Sequence, residues 1–408
     1  MKNAWIRLLS AGTASAAGAA VVVLQPAWAD SADTFNVSAG YTVQTDSNLF
    51  RLPASSNAVA ALGTTKKSER IDVTSVKLTL DKAYSLQRFQ LTASYDDYHH
   101  QNFDYLNFGG LSYSGAWLWS FTPRVRGVLT AERKEALNNF ADVGGITIRN
   151  VRTDSSVKFE GEGDLGAAVR LLGGVSQSRR TNEVAVIQEG DSSVDSLIAG
   201  MAYVFPSGNS VAYRFRKGSG DSTNRLATAA AQLPTGFDER EHEVRAGWKL
   251  TGKTSLNARL SWLDRAHRGL PERDFDGPTA NLGVTWNPTA KTSVAAGAAR
   301  SLSSYQTASS SYITSNRLNV APTWRATEHI SLRLNYDYLV QTYEGALPGQ
   351  GLPENRRDVT RFAVVALDWR PRPFFSMTVS VQNQRRSSNT PGFDFNSNAA
   401  NIGALVNF

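Results

Sequence analysis

The chain has 408 residues, with 43 Lys and Arg against 36 Asp and Glu, a formal net charge of +7 and no cysteine. The lack of cysteine excludes disulfide staples, thiolate metal sites, cysteine nucleophiles and a lipid-modified N-terminal cysteine. The basic residues stand singly along alternating segments rather than in runs, which argues against a nucleic-acid-binding arm and so against a nucleic-acid partner.

The first residues read as an export signal. Lys2 and Arg7 supply positive charge, Leu8 to Leu24 is small and apolar, and Ala27-Trp28-Ala29 forms an A-x-A cleavage pattern before Asp30. Two segments are therefore expected, a signal peptide over 1–29 and a single mature domain over 30–408. A retained membrane helix fits less well, because the apolar stretch is only about 17 residues long and is diluted by Gly, Ser and Thr. Cleavage would remove Lys2 and Arg7 and leave a charge of about +5. Beyond the signal no apolar run approaches the length of a spanning helix, and the mean hydropathy is negative. A membrane barrel produces this profile, because half of each strand faces a polar lumen.

From Asp33 onward, stretches of about ten alternating apolar and polar residues are separated by turns of two kinds. Short turns are read at Asp81 to Gln87, Thr122-Pro123-Arg124, Gly163-Asp164, Pro206 to Asn209, Thr251-Gly252-Lys253, Asn287-Pro288-Thr289, Ala326-Thr327-Glu328 and Arg370 to Pro373. Longer polar segments intervene at Thr45 to Arg70, His99 to Asn107, Lys134 to Asn150, Arg179 to Asp191, Asp221 to Phe237, Arg268 to Asp276, Tyr305 to Tyr312, Glu344 to Asn355 and Ser387 to Asp394. This alternation predicts an all-β fold: a transmembrane antiparallel β-barrel of about 18 strands (16–18) in a Gram-negative outer membrane, with short periplasmic turns and longer extracellular loops. A soluble propeller or β-helix is disfavoured, because large residues such as Leu256, Leu260, Trp262, Leu332, Leu334 and Tyr336 fill one strand phase.

Trp119, Phe121, Phe205, Trp248, Trp286, Trp324 and Trp369 each lie near a short turn and predict one interfacial girdle; Tyr95, Tyr98, Phe215, Trp262, Tyr336 and Tyr343 predict the other. At the C-terminus Ile402, Ala404, Val406 and the final Phe408 share a phase, an assembly signal expected to seal against Phe35, Val37, Ala39 and Tyr41. The barrel-assembly machinery, outer-membrane lipid and lipopolysaccharide are the partners this implies.

If the apolar phase meets lipid, Lys77, Arg88, Arg126, Lys158, Arg170, Arg214, Arg216, Arg245, Lys249, Arg259, Arg317, Arg325 and Arg333 fall inside as pore-lining residues. The clearest acids in that phase are Asp96, Glu132, Asp154, Glu160 and Asp337, so a net positive lumen is expected that would concentrate anions. The plainer reading is that such charges pair across strands and brace the wall. Gln90, Asn281, Asn319, Asn335, Gln382 and Gln384 share the phase and would suit sugar hydroxyls or water.

No H-x-S pair accompanies His99, His100, His242, His267 or His329, so no catalytic residues are assigned and no enzyme is expected. His99, His100 and Asp104 are better read as solvated rim residues than as metal ligands. Gly109-Gly110, Gly144-Gly145 and Gly173-Gly174 do not form a phosphate loop, and no cofactor is implied.

The segments Asp33-Thr34-Phe35, Gly40-Tyr41 and Asp46-Ser47-Asn48-Leu49-Phe50-Arg51-Leu52 resemble the opening of the exosortase-associated exopolysaccharide-biosynthesis outer-membrane barrels, the EpsL-type family. The resemblance implies a porin-like barrel that passes a secreted polysaccharide outward by passive conduction, with the lumen arginines guiding the polymer and loops such as Thr45 to Arg70 narrowing the pore. It transfers no catalytic role to Asp46, Asn48 or Arg51, which fit a loop-shaping motif. No helical repeat domain is present in the sequence, so coupling to a synthase would need separate periplasmic export proteins. Two alternatives stand beside this reading: a general diffusion porin for small anions, and an outer-membrane lipid-modifying enzyme.

Overall fold

The computed structural model describes residues 35–138, 140–141, 147–184, 191–223, 236–305, 307, 309–347 and 355–408; the expected signal peptide, 1–29, and the Gly144-Gly145 pair lie outside them. The strands are β1 (Phe35–Asp46), β2 (Glu69–Tyr84), β3 (Gln87–His100), β4 (Phe108–Thr122), β5 (Val125–Leu137), β6 (Val151–Leu165), β7 (Val169–Asn182), β8 (Asp191–Val204) and β9 (Ser210–Thr223). They continue as β10 (Gly236–Thr251), β11 (Thr254–His267), β12 (Phe275–Trp286), β13 (Thr292–Ser304), β14 (Tyr312–Arg325), β15 (Ile330–Glu344), β16 (Arg357–Arg372), β17 (Phe375–Ser388) and β18 (Phe395–Asn407). Each pairs antiparallel with the next, and β1 pairs with β18, so the 18-stranded sheet closes on itself. Closure leaves no free sheet edge, which a lipid environment would penalise heavily, although β12 and β13 pair only from Ala280 to Trp286 and leave their loop ends unpaired with each other.

At the seam, Ala39 faces Val406 and Tyr41 faces Ala404. The Phe408 amide donates to the Val37 carbonyl (2.7 Å). Ile402 and Phe408 project outward, as the shared phase predicts.

The short turns reuse one device. The hydroxyls of Thr122, Thr289 and Thr327 each accept two backbone N–H groups at the start of the next strand, at 3.0–3.2 Å. The turn expected at Gly163-Asp164 lies slightly further on. Both residues continue β6, Asp164 is held by Arg126 and Arg170, and Gly166 supplies the positive φ (+77°) that the turn needs.

The long loops close differently. His100, Asn182, His267 and Ser388 each donate a backbone N–H to the side chain of Asn107, Asp191, Asp274 or Asp394, at 2.5–2.7 Å. An Asx residue placed just before or at the returning strand thus clasps the outgoing one.

Exposed apolar residues occupy one strand phase all round the cylinder, among them Leu91, Val157, Leu197, Val244, Leu260, Leu318, Leu334, Val365 and Val381. Strands of 12–16 residues are about 40–50 Å long, so even when tilted they overrun an apolar band of about 25 Å. Of the short-turn girdle, Phe121, Trp286, Trp324 and Trp369 are exposed, but Trp119 is 94 % covered. It lies flat against Phe159 (5.4 Å between ring centroids) and over Gly127, where a Cβ would collide with the indole. On the loop side Tyr95, Trp262 and Tyr336 are exposed as expected. Tyr98 and Tyr343 are not part of that belt. They fall in the opposite phase and pack inward, Tyr98 stacked on Phe108 (4.6 Å) and Tyr343 edge-on to Tyr305 (4.9 Å).

Candidate functional site

The phase opposite the exposed apolar residues is the concave inner wall. One contact establishes this independently: Arg214 on β9 reaches Glu160 on β6, across two intervening strands, which is only feasible from inside a curved sheet. Gly174 on β7 and Gly200 on β8 leave the path clear. A Cβ at Gly174 would stand 2.9 Å from Glu160 Cγ, and one at Gly200 would stand 3.1 Å from Arg214 Cγ.

All thirteen basic residues singled out from the sequence share this phase, and most are in ion pairs. The densest array crosses β5 to β11. Arg265 and Arg216 share Glu239, Arg216 and Arg259 share Glu241, and Arg259 and Arg245 share Glu243. Arg214 and Lys158 then share Glu160, and Arg126 and Arg170 share Glu162 and Asp164. Glu239, Glu241 and Glu243 are each less than 10 % exposed, and Ser261 adds a hydroxyl donor to Glu241 (2.7 Å). A carboxylate so withdrawn from water is tolerable only because two guanidinium groups face it.

Elsewhere Arg88 pairs with Asp81 (2.5 Å), Arg333 with Asp368 (2.5 Å) and, more loosely, Arg317 with Asp337 (3.8 Å). Among the described residues, Lys77, Lys249 and Arg325 have no acid within ion-pair distance, and neither has Arg370, an inward residue not expected from the sequence. Lys249, Arg325 and Arg370 all lie near the short turns.

The net positive charge expected of the wall is smaller than the five acids named from the sequence imply. Besides the five acids named from the sequence, Asp81, Glu162, Asp164, Glu239, Glu241, Glu243 and Asp368 occupy the same phase and neutralise most of the arginines. The missed signal was the period-two run Glu239, Glu241, Glu243, Arg245, which marks β10 as charged along one face.

The wall is otherwise neutral. Inward positions on β12 and β13 carry Thr279, Asn281, Gly283, Ala295, Gly297 and Ala299, and those on β17 and β18 carry Ser380, Gln382, Gln384 and Asn401. The expected amides all point inward: Asn319 donates to Asn335 (2.7 Å), Asn335 to Asp337 (2.7 Å) and Gln90 to Asp81 (3.1 Å).

At the loop end, the Asp46 to Leu52 motif is a built structure. Asp46 accepts from the Asn48 amide (2.8 Å), Ser397 Oγ (2.5 Å) and Arg51 Nη1 (2.8 Å), while Asn48 bonds both backbone groups of Leu52. Arg51, at φ +55°, also donates to Gln384 on the inner wall (3.1 Å). Phe50 and Leu52 pack with Phe103, Leu106 and Phe140, which ties the first three long loops together. A second buried knot, not read from the sequence, holds Arg356 between the rings of Phe393 (3.4 Å) and Tyr343 (4.2 Å) and pairs it with fully buried Asp358 (2.6 Å).

The histidines are scattered. His99 faces outward beside Asp97 (3.0 Å), whereas its neighbour His100 faces inward, so the two cannot ligate one ion with Asp104. His242 shares a hydrogen bond with Tyr213 Oη (2.7 Å) on the outer face, and His329 bonds the Arg370 carbonyl (2.9 Å).

A closed antiparallel cylinder, apolar outside and hydrophilic within, defines an outer-membrane β-barrel of the porin class. In agreement, residues 241–408 match the family model described as Putative beta-barrel porin 2. Pseudomonas aeruginosa OpdK, solved with vanillate, is similar in fold, with a TM-score of 0.50, 10 % identity, and 92 % of this chain and 99 % of that chain covered. OccK9 (OpdG) of the same organism gives 0.49 at 11 % identity, over 92 % and 98 %. No curated protein matches the chain. The sequence match is thus to a porin family over 241–408 and does not reach the opening residues that resemble the exopolysaccharide-associated family.

Proposed function

We propose that the barrel conducts small polar solutes passively across the outer membrane, with anions preferred over cations, and that the thirteen basic residues line this pore. The observation that carries the reading is the position of the uncompensated charge. Where arginines are paired, their fields largely cancel. At the short-turn end, Lys249 on β10, Arg325 on β14 and Arg370 on β16 face inward with no ion-pair partner among the described residues, and unpaired cations spaced around a confined wall raise the local anion concentration.

A second reading, outward passage of a neutral or anionic exopolysaccharide with periplasmic export proteins supplying the chain, is favoured by the amide strip of Asn319, Asn335, Gln382 and Gln384, whose donors and acceptors match sugar hydroxyls. In both readings Phe408 serves assembly by holding the seam through its backbone.

Planar-bilayer recording tests both. The reversal potential under a KCl gradient should report anion preference, and Lys249→Glu with Arg325→Glu should move it toward zero or beyond. An unchanged reversal potential would remove the anion reading. Block of the current by a long neutral oligosaccharide, with free passage of small anions, would favour the polymer.

A further inference from the structure

Several outward-facing charges above the apolar band are matched. Arg70 pairs with Asp72 (3.1 Å), His99 lies beside Asp97 (3.0 Å), Arg133 pairs with Glu135, and Arg268 pairs with Asp221 (3.0 Å) and Asp238 (3.2 Å). Among the described residues two like-charged basic pairs stand directly opposite each other on the outer face; Lys217 faces Arg240, where Asp264 of β11 lies opposite Arg240 on its other side, and the second pair has no such acid. On the outer face Arg361 of β16 stands directly opposite Arg385 of β17 in the strand register. Directly opposed residues have Cβ atoms about 5 Å apart, and like charges at that spacing destabilise a sheet.

The flanking positions in the same row are Tyr338 on β15 and Asn396 on β18, so neither neighbouring strand supplies a carboxylate. Both arginines are exposed, and among the described residues neither has an acid within ion-pair distance.

A groove of about 480 Å³ adjoins the pair on its apolar side, lined by Ala363, Val365, Val381, Asn383, Asn398 and Ala400 among others. Ala363 and Asn383 are the next outward residues after Arg361 and Arg385 along their strands. Small side chains on three adjacent strands open the groove, and Asn383, which bonds Asn396 (3.0 Å) and Asn398 (2.7 Å), lays an amide network between groove and arginines.

We infer that this face binds a phosphate-bearing glycolipid of the outer leaflet, with its phosphate on Arg361 and Arg385, its polar linkage over the asparagines and an acyl chain along the groove. Charge complementarity carries the choice. A planar guanidinium pair with no protein anion suits a doubly charged phosphate, and the site is continuous with the lipid-facing surface. The inference rests on the outer-membrane placement and is independent of which solute the pore conducts.

Delipidated full-length protein, titrated with bis-phosphorylated lipid A in phosphatidylcholine nanodiscs and read by native mass spectrometry, tests it. Wild type should retain lipid A. R361Q/R385Q should weaken retention about tenfold or more, and A363W, which fills the groove, should also lower it. R70Q, on an arginine already facing Asp72, should leave it unchanged. Lipid A stripped of phosphate should not be retained by wild type, an arm that needs no variant, and millimolar inorganic phosphate should not displace the glycolipid. Heat-modifiable gel mobility checks that each variant is a closed barrel. Equal retention by R361Q/R385Q, equal retention of dephosphorylated lipid, or displacement by inorganic phosphate would each overturn the assignment.

Discussion

The inner wall across β5 to β11 and the inner wall of β12 and β13 belong to one sheet with the same alternation, yet they solve opposite problems. The first carries many long charged side chains and locks them together through shared carboxylates. The second carries Gly, Ala, Ser, Thr and Asn, which protrude little and need no partners. A high count of arginines therefore does not by itself make a positive surface. What a solute senses is the charge left after pairing, and three of the unpaired cations, Lys249, Arg325 and Arg370, lie near the short turns rather than where arginine is most abundant.

The largest test of this contrast removes one shared carboxylate. Glu243→Gln would leave Arg245 and Arg259 facing each other without their common anion, and loss of one partner from a buried charge pair costs about 3–5 kcal/mol. Chemical unfolding in detergent, followed by heat-modifiable mobility, should show a clearly lowered midpoint, and bilayer recording should show stronger anion preference. A stable variant with unchanged selectivity would mean that the array is not coupled.

A smaller effect is expected at the glycines. Gly174→Val in the charged wall would press on Glu160 and the Phe159 carbonyl, costing about 1–3 kcal/mol. Gly283→Ala in the neutral wall meets nothing within 4 Å and should fall within about 0.5 kcal/mol of wild type. Similar losses at both positions would erase the distinction between the two walls. The mildest change is Ala295→Arg, which places an unpaired cation on the neutral side. Stability should hardly move, while single-channel conductance falls modestly and anion preference rises; a drop in cation exclusion would contradict the view that unpaired charge sets the field.

How much of this could be read beforehand follows the same division. Strand number, turn positions and the inward phase of the basic residues were legible because a period of two leaves a mark on every strand. The pairing was not, since Arg214 and Glu160 are 54 residues apart and meet only through barrel curvature and two intervening glycines. Tyr98 and Tyr343 misled for a related reason: near the loop end aromatic residues serve both faces, and nearness to a strand end does not say which. The Asp46 to Leu52 motif stood out in the sequence as a unit, but its anchors on Gln384 and Ser397 lie on the last hairpin and are invisible to local reading.

Those anchors also set an order of events. The hydroxyl of Ser397 and the carboxylate of Asp46 are separated by 351 positions, so the entrance cannot mature while the chain is still being delivered. Contacts of such sequence separation form slowly and late. Until the final hairpin docks, the hydrophobic residues around Phe50 lack their frame, and an unfinished cylinder should show itself by protease cutting between Asn48 and Lys67 that ceases once the ends have met.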